Sequence, residues 1–217
     1  MRAPAVILAS ASPRRAQLLE QIGVPYRVVP AELDEQRLPG EMAERCVRRL
    51  AERKAQAVLT ALQAARALPQ PPPRVLPLPQ SQSALLPLPV LGADTAVVIG
   101  DEMLGKPADR DAALGMLSRL SGRVHVVLSA VALASGSGVR SALSRSEVQF
   151  RHLTGPECAA YWDSGEPRDK AGGYAIQGLG AVFVERLHGS YSGVMGLPLF
   201  ETAVLLAEAG VPVWREL

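Results

Sequence analysis

The first 29 residues alternate between a strand pattern, a helix pattern and a second strand pattern. Residues 5–8 form an apolar run, residues 13–22 repeat apolar side chains at helical spacing up to Gly23, and residues 26–29 form another short strand-like run. A strand, a helix and a strand in close succession are typical of proteins in which helices pack on a sheet. This alternation predicts an α/β fold.

The turn between the first strand and the first helix, residues 10–15, has the features of an anion-binding site. Ser12 is a suitable N-cap whose hydroxyl would accept a hydrogen bond from a first-turn amide, and Pro13 suits the first helical position. A helix that starts at Pro13 directs its free amides and dipole toward the space above the strand, where Arg14 and Arg15 add forked donors. The sequence therefore predicts a phosphate site; the alternative is an ordinary helix start with two surface arginines.

Composition favours a globular chain with a small-molecule ligand. The 217 residues, 48% of them hydrophobic and 20% charged, suffice for a core, and we treat residues 1–217 as one domain. A net charge of +2 and only 4% aromatic residues argue against binding to long nucleic acids. No apolar window reaches about 18 residues, and the N-terminus lacks a secretory pattern. We therefore expect a cytoplasmic protein without a membrane partner.

Residues 68–89 contain eight prolines, a density that no helix or central strand tolerates. Because regular α/β patterning resumes directly afterwards, we predict a mobile, polyproline-like surface insertion rather than a domain boundary. A proline-rich recognition segment is the alternative.

Several common sites are not indicated by the sequence. The chain has no G-x-x-x-x-G-K-S/T motif, and Gly178 and Gly180 lack the third glycine of a dinucleotide fingerprint. The three histidines lie far apart, which disfavours zinc and Ser-His-Asp chemistry, and we interpret His125 as structural. Cys46 and Cys158 lie in helical patterns without a C-x-x-C motif, and we expect buried or inert thiols.

Two charged residues occur within apolar patterns. A long helix predicted over residues 42–65 carries Lys54 on its apolar stripe, which indicates either a functional lysine or one whose stem snorkels along the surface. Asp94 interrupts the apolar run 90–99, where an unpaired charge would be costly. We therefore expect Asp94 to be paired, bound to a metal ion or neutralised, as functional acids often are.

The remaining chain continues the alternation. Residues 169–180 contain four glycines, a density that lets a backbone approach a ligand closely, although many turns before strands are rich in glycine. Thr154 and Glu157 have the spacing of a capping box. The predicted helices are 110–120, 156–164 and 199–209, and the predicted strands are 124–133, 148–153 and 181–184.

Basic and acidic side chains recur beside the predicted strand ends and helix starts. Phosphoanhydride hydrolysis requires such a set, because cations neutralise a polyphosphate while carboxylates hold a divalent ion or activate water. Glu35 and Asp94 are the candidate metal ligands, and Asp34 is the alternative to Glu35. The candidate phosphate-binding residues are Ser10, Ser12, Arg14, Arg15, Lys54, Lys106 and Lys170.

Five segments resemble, in order, motifs of the Maf family of nucleoside triphosphate pyrophosphatases: residues 10–15, 92–95, 105–107, 120–125 and 169–178. The resemblance runs from residue 7 to about residue 202, and the proline-rich stretch departs from it. It implies a twisted mixed sheet with flanking helices, arranged as two lobes around a central cleft and related to the inosine triphosphate pyrophosphatases. It also implies a homodimer.

The resemblance further implies a reaction. A nucleoside triphosphate is hydrolysed between its α and β phosphates to the monophosphate and pyrophosphate, with Mg²⁺, Mn²⁺ or a similar divalent ion. Asp94 falls on the position of the family's catalytic proton acceptor, and Lys54 and Lys106 are the candidate catalytic cations.

Three positions that separate branches of the family are occupied by Arg14, Thr95 and Gln177. This set resembles the dTTP/UTP branch rather than the 7-methyl-GTP branch, and the amide of Gln177 offers both a donor and an acceptor to a pyrimidine edge. The alternative for Gln177 is an amide that bonds its own loop backbone. The competing functions are the same reaction on CTP or modified pyrimidine nucleotides, and a nucleotide-binding regulator of septum formation that acts through a cell-division partner.

Overall fold

The computed structural model describes residues 3–67 and 88–214, and a mixed sheet of seven strands runs through that part of the chain. Its strands are β1 (Val6–Leu8), β2 (Tyr26–Val28), β3 (Val90–Ile99), β4 (Glu102–Leu104), β5 (Val124–Ser135), β6 (Gly138–Phe150) and β7 (Val184–His188). The helices are α1 (Pro13–Gln21), α2 (Ala43–Ala67), α3 (Arg110–Leu120), α4 (Gly155–Asp163), α5 (Tyr191–Met195) and α6 (Leu199–Glu208). The predicted α/β fold, a mixed sheet with flanking helices, is confirmed.

The sheet changes from parallel to antiparallel at β3. Strand β1 lies between β2 and β3 and is parallel to both, with Val6 opposite Tyr26 and Leu8 opposite Leu91. From β3 the sheet continues through β5, β6 and β7 with antiparallel neighbours, and β4 pairs with the distal part of β3. The chain therefore leaves β1 beside Leu91, only three residues before Asp94.

Helix α2 packs directly against β3 at Gly92. A side chain at this position would overlap the carbonyl oxygen of Ala51 and bring its Cβ to 2.7 Å from the nitrogen of Ala55. Only glycine allows so close an approach. Lys54, which lies between these two helix residues, is thereby brought against the same strand.

Apolar clusters cover both faces of the sheet. Ile7 and Leu8 are neighbours in β1 and point to opposite faces, as successive strand residues do. Leu8 packs in a cluster with side chains of α1 and α6, whereas Ile7 packs with side chains of α2. A third cluster surrounds Phe150 near the end of β6. The sheet is therefore the framework that fixes the loops at its edges.

Two predicted strands differ from the observed ones. Strand β6 begins at Gly138 rather than at residue 148, because its backbone pairs with the whole of β5 while many of its side chains face solvent. The predicted strand 181–184 is wrong, since Leu179–Phe183 form a 3₁₀ helix and β7 follows it. The amides of Leu179 and Gly180 bond the carboxylate of Glu166, so they are not free to pair with a neighbouring strand.

Other sequence predictions concern individual features of the fold. The capping box of Thr154 and Glu157 is present at the start of α4, and Cys46 and Cys158 are both buried free thiols, as predicted. Within the described residues, no helix combines the length and apolar character that a membrane span requires. Of the predicted proline-rich insertion, residues 68–87 lie outside the described residues.

Candidate active site

One cleft brings together all eleven residues that the sequence analysis singled out. It has a volume of about 400 Å³ and opens where the chain leaves β1 beside β3. Five of the lining residues are basic and three are acidic, a balance that favours a polyanionic ligand. The eleven residues are Ser10, Ser12, Arg14, Arg15, Glu35, Lys54, Asp94, Thr95, Lys106, Lys170 and Gln177.

The start of α1 differs from the prediction in one hydrogen bond. Ser12 has the extended backbone of an N-cap, with φ −70° and ψ 115°, but its side chain makes no capping hydrogen bond, so the predicted cap is wrong. Ser10 instead accepts the amide of Ser12 at 3.2 Å, which fixes the turn from outside the helix. A helix provides no intrahelical partner for its first amides, so those of Arg14 and Arg15 remain available to an anion.

The guanidinium of Arg15 joins three parts of the site. Its Nη1 donates to Ser10 Oγ at 3.0 Å, its Nε donates to the carbonyl of Gly196 at 2.8 Å, and its Nη2 donates to Thr95 Oγ1 at 3.4 Å. Arg15 therefore ties the start of α1 to β3 and to the turn after α5. Its predicted role as a phosphate ligand stays a prediction.

A chain of hydroxyl groups continues from Arg15 into the sheet. Thr95 Oγ1 lies 3.0 Å from Ser129 Oγ, and Ser129 donates its proton to the carbonyl of Gly193 at 2.6 Å. Since the single proton of Ser129 is used there, Thr95 is the donor to Ser129 and the acceptor from Arg15. The hydroxyl of Thr95 is thus held in one orientation at the wall of the cleft.

Lys54 is buried between two carboxylates. Its Nζ lies 2.7 Å from Asp94 Oδ1 and 2.9 Å from Glu35 Oε1, and only 8% of its side chain is exposed. A snorkelling lysine would hold its ammonium in solvent, so that alternative is wrong. The expectation that the acid within β3 would be paired is confirmed.

The environment of Asp94 alters its acidity. Burial raises the pKa of the Asp94 carboxyl above its ordinary value, and the charge and hydrogen bond of Lys54 oppose that rise. Within the described residues, Lys54 is the hydrogen-bond partner of Oδ1, and Oδ2 has none. Asp94 is therefore a fixed carboxylate with one oxygen free to accept a proton.

The structure brings together two candidate metal ligands, the carboxylates of Asp94 and Glu35. Asp94 and Glu35 converge on Lys54, whereas Asp34 is occupied with the amide of Gln36 at 2.9 Å and does not line the cleft. Across residues 3–67 and 88–214, no group of three His, Cys, Asp or Glu side chains is placed to hold a metal ion. Two carboxylates fit Mg²⁺ when substrate phosphates and waters complete its shell, which is how proteins usually bind this ion.

Lys106 and Lys170 line the cleft from two neighbouring loops. The amide of Gly172 donates to the carbonyl of Gly105 at 2.9 Å, so the loops that carry the two lysines are joined. Lys106 is exposed, whereas the ammonium of Lys170 is paired with the carboxylate of Asp169. The sequence did not predict that pairing, and the phosphate-binding role of Lys170 stays a prediction.

Gln177 lines the cleft with an exposed side chain. Its amide makes no hydrogen bond with any other described residue, so the alternative of a loop amide bonded to its own backbone is wrong. The donor and the acceptor of this amide are both available to a ligand.

His125 contacts the glycine-rich loop, residues 169–180, through Tyr174. Its Nε2 lies 2.8 Å from the hydroxyl of Tyr174, which lines the cleft, and burial lowers the pKa of the imidazole to about 4. The ring is therefore neutral near pH 7. His125 is buried and bonded to Tyr174, as expected of a structural histidine, whereas its Nδ1 has no hydrogen-bond partner within the described residues.

Three residues that matter to the site were missed in the sequence. Ser129 interrupts an apolar strand as Asp94 does, and that signal was available. Tyr161 and Glu166 carry no such signal, because their contacts with the loop before β7 are made across the fold.

Comparisons with known proteins point to one family. A family model described as Maf-like protein matches residues 5–209. A protein of Hahella chejuensis named dTTP/UTP pyrophosphatase is 45% identical over 211 residues, which cover 97% of this chain and 95% of the relative. A protein of the same name from Pseudoalteromonas atlantica is 48% identical over 202 residues, 93% of this chain and 95% of the relative. Another, from Methylobacillus flagellatus, is 47% identical over 208 residues, 96% of this chain and 94% of the relative.

The matches run through the five motifs and through the elements that carry them. The family model alone spans nearly the whole of the described chain. This chain belongs to the Maf family.

Proposed function

We propose that this protein is a nucleoside triphosphate pyrophosphatase that hydrolyses dTTP and UTP to the monophosphate and pyrophosphate. The observation that carries the proposal is the meeting of Asp94, Lys54 and Glu35 at one wall of a cleft that also contains the start of α1. Relatives at 45% to 48% identity are named dTTP/UTP pyrophosphatase, which supports dTTP and UTP as substrates. Such an activity would remove excess or abnormal pyrimidine nucleotides from the cellular pool.

The polyphosphate would be bound by fixed donors. The free amides of Arg14 and Arg15 and the positive end of the α1 dipole offer one binding surface, and Lys106 adds a positive charge to the same cleft. Donors that are already oriented stabilise the negative charge that develops on the leaving pyrophosphate without further reorganisation.

Asp94 would accept the proton of the attacking water. Asp94 lines the cleft; Lys54 holds its Oδ1 at 2.7 Å, and Oδ2 has no hydrogen-bond partner within the described residues. A carboxylate with a raised pKa is a stronger base than an ordinary one, because a general base works best when its pKa approaches the working pH.

A divalent ion such as Mg²⁺ or Mn²⁺ would be held by Asp94 and Glu35 together with phosphate oxygens. When bound, such an ion polarises a phosphoryl oxygen and offsets charge on the polyphosphate. The positive charge of Lys54 keeps the two carboxylates close together. Without it, they would repel each other.

Base selection would depend on Gln177. A primary amide presents a donor and an acceptor side by side, which matches the edges of uracil and thymine, but rotation of the amide exchanges the two and would match cytosine. Discrimination therefore requires that the residue be held at a defined place.

We also propose that two copies associate through α6. Phe200 and Val204 lie one turn apart on this helix and are 78% and 43% exposed, and Phe200 is the most exposed large apolar side chain of the described residues. Sedimentation equilibrium should give twice the chain mass for the wild type and a smaller mass for Phe200→Asp. A wild-type mass equal to one chain would contradict this part of the proposal.

A panel of nucleoside triphosphates with Mg²⁺ tests the function. Pyrophosphate release should show the highest kcat/KM for dTTP and UTP, a lower value for CTP, and the lowest values for ATP and GTP. Gln177→Ala should reduce this preference, and Gln56→Ala, which removes an exposed amide from α2, should leave it unchanged. The proposal fails if no nucleotide yields pyrophosphate, or if CTP or a purine nucleotide is the best substrate.

A further inference from the structure

Gln177 lies between two stretches of backbone that are bonded to the same pair of side chains. Tyr161 accepts the amide of Ala175 at 3.0 Å, and Glu166 accepts the amides of Leu179 at 2.9 Å and Gly180 at 3.0 Å. We call Tyr161 and Glu166, together with these three amide contacts, the loop clamp.

The two side chains of the loop clamp are bonded to each other. The hydroxyl of Tyr161 donates to Glu166 Oε1 at 2.7 Å, because an ionised carboxylate can only accept. With its proton used there, the same hydroxyl is left to accept the amide of Ala175. Every hydrogen bond in the loop clamp therefore has a defined donor and a defined acceptor, and this favours one arrangement of the loop.

The glycines after Gln177 are explained by the loop clamp. A Cβ at Gly178 would overlap the carboxylate of Glu166, and a Cβ at Gly180 would lie 2.7 Å from the hydroxyl of Tyr161. The spacing that resembles part of a dinucleotide fingerprint thus serves a close approach to these two side chains rather than to a pyrophosphate.

The charge state of the loop clamp is stable near neutral pH. Burial opposes ionisation of Glu166, but the hydrogen bonds from Tyr161 and two backbone amides outweigh it and lower the pKa of Glu166. Burial and the bond to Glu166 raise the pKa of Tyr161, which is only 5% exposed. The carboxylate is ionised and the phenol is neutral across the pH range in which the enzyme would work.

The loop clamp lies behind the cleft rather than in it. Neither Tyr161 nor Glu166 is among the lining residues, whereas Gln177 is. Since the side chain of Gln177 has no bond of its own within the described residues, the backbone that carries it sets the point from which it reaches into the cleft.

We propose that Tyr161 and Glu166 are positioning residues that fix Gln177 and thereby set the preference for uracil and thymine over cytosine. The inference rests on the proposed function and adds to it the device that determines base selection. It separates this role from catalysis, which depends on Asp94 and its partners.

The test compares Tyr161→Phe with the wild type on UTP and CTP. Loss of the hydroxyl removes the bonds to Ala175 and Glu166, so the ratio of kcat/KM for UTP to that for CTP should fall at least tenfold, mainly through a higher KM for UTP. The kcat for UTP should stay within about threefold, because the reacting groups are not touched.

Tyr26→Phe is the matched control. Tyr26 donates to Glu20 at 2.6 Å, so this variant removes the same kind of tyrosine–glutamate hydrogen bond at a place remote from Gln177. It should leave the UTP to CTP ratio unchanged. Glu166→Gln is a second test of the loop clamp. Because its amide oxygen keeps one acceptor, it should lower the UTP to CTP ratio less than Tyr161→Phe does. It replaces Tyr161→Phe as the test if Tyr161→Phe does not fold.

The outcomes separate this inference from the proposed function. If the wild type releases no pyrophosphate from UTP, or does not prefer UTP to CTP, the proposed function fails whatever the variants do. If the wild type is selective and the folded variants keep its ratio within twofold, the positioning role is overturned. Equal losses of kcat on both nucleotides with an unchanged ratio would also overturn it, because they indicate a merely structural effect.

Discussion

The ammonium of Lys54 lies 2.7 Å from Asp94 Oδ1, and both side chains are almost fully buried. Lys54 comes from the middle of α2 and Asp94 from the middle of β3, so the pair depends on how closely helix and strand pack. Breaking a buried ion pair leaves an uncompensated charge, which strongly destabilises a protein. The pair therefore connects the packing of the fold to the chemistry of the cleft.

Asp94→Asn should abolish pyrophosphate release in protein that still folds, although its stability should fall because only Glu35 then balances the charge of Lys54. The amide oxygen of Asn can still accept a hydrogen bond from Lys54, but it cannot take a proton from water. Loss of a general base costs about 10²- to 10⁴-fold in rate. The rate should be measured with UTP and Mg²⁺, alongside Asp101→Asn, which removes an exposed carboxylate. Retention of more than a tenth of the wild-type rate by Asp94→Asn would show that Asp94 is not the proton acceptor.

Gly92→Ala should weaken both stability and activity. The added methyl overlaps the Ala51 carbonyl and forces α2 away from β3, which moves Lys54 from Asp94. Overpacking of this kind costs about 1–3 kcal/mol in the free energy of unfolding. Urea denaturation measures the change. Gly115→Ala is the control, because its Cβ meets nothing within 4 Å and a helical Gly→Ala change should stabilise by about 0.5–1 kcal/mol. A Gly92→Ala protein as stable as the wild type would contradict the close approach.

Removal of divalent ions with a chelator should stop the reaction, and Glu35→Gln should raise the Mg²⁺ concentration that the reaction requires. A neutral amide is a weaker ligand for Mg²⁺, so the Mg²⁺ concentration at half-maximal rate should rise by about tenfold or more. Titration of Mg²⁺ at saturating UTP measures it. Asp34→Asn should change nothing, since its carbonyl can keep the hydrogen bond to Gln36. The reverse result, with Asp34→Asn alone raising the requirement, would assign the metal to Asp34.

His125 should make the protein less stable in mild acid. Its pKa is lowered from 6.5 to about 4 in the folded protein, so the unfolded chain binds more protons between these values. The neutral ring contributes about 3 kcal/mol to the free energy of unfolding. This contribution is fully present above pH 6.5 and is lost as the pH falls toward 4.

His125→Gln isolates this effect from other titrations, because Gln can bond Tyr174 but does not titrate. Urea denaturation between pH 4.5 and pH 7 should show a steeper loss of stability in the wild type than in the variant. Parallel curves for the two proteins would contradict the prediction, because they would mean that His125 has the same pKa in the folded and the unfolded protein.

The sequence reveals local features of this fold better than contacts across it. The strand and helix of residues 5–21, the capping box of Thr154 and the buried acid Asp94 depend on near neighbours or on one residue in an unfavourable place, and all were predicted. The start of β6 was missed because its pairing with β5, not its own polar residues, makes it a strand.

In the candidate site, too, the contacts across the fold could not be predicted from the sequence. Two serines precede α1, and only the structure shows that the hydroxyl of Ser10, rather than that of Ser12, accepts the hydrogen bonds there. The pairing of Lys170 with its neighbour Asp169 competes with any phosphate and is a matter of side-chain orientation. Glu166 reaches the amide of Gly180 from 14 positions away, so no spacing in the sequence could indicate it.

The most direct test of the account is the identity of the products from UTP. Incubation of the wild type with UTP and Mg²⁺, followed by ³¹P NMR, should show UMP and pyrophosphate in equal amounts, with no orthophosphate, and neither product with Asp94→Asn. Formation of UDP and orthophosphate by the wild type, or no reaction at all, would contradict the account.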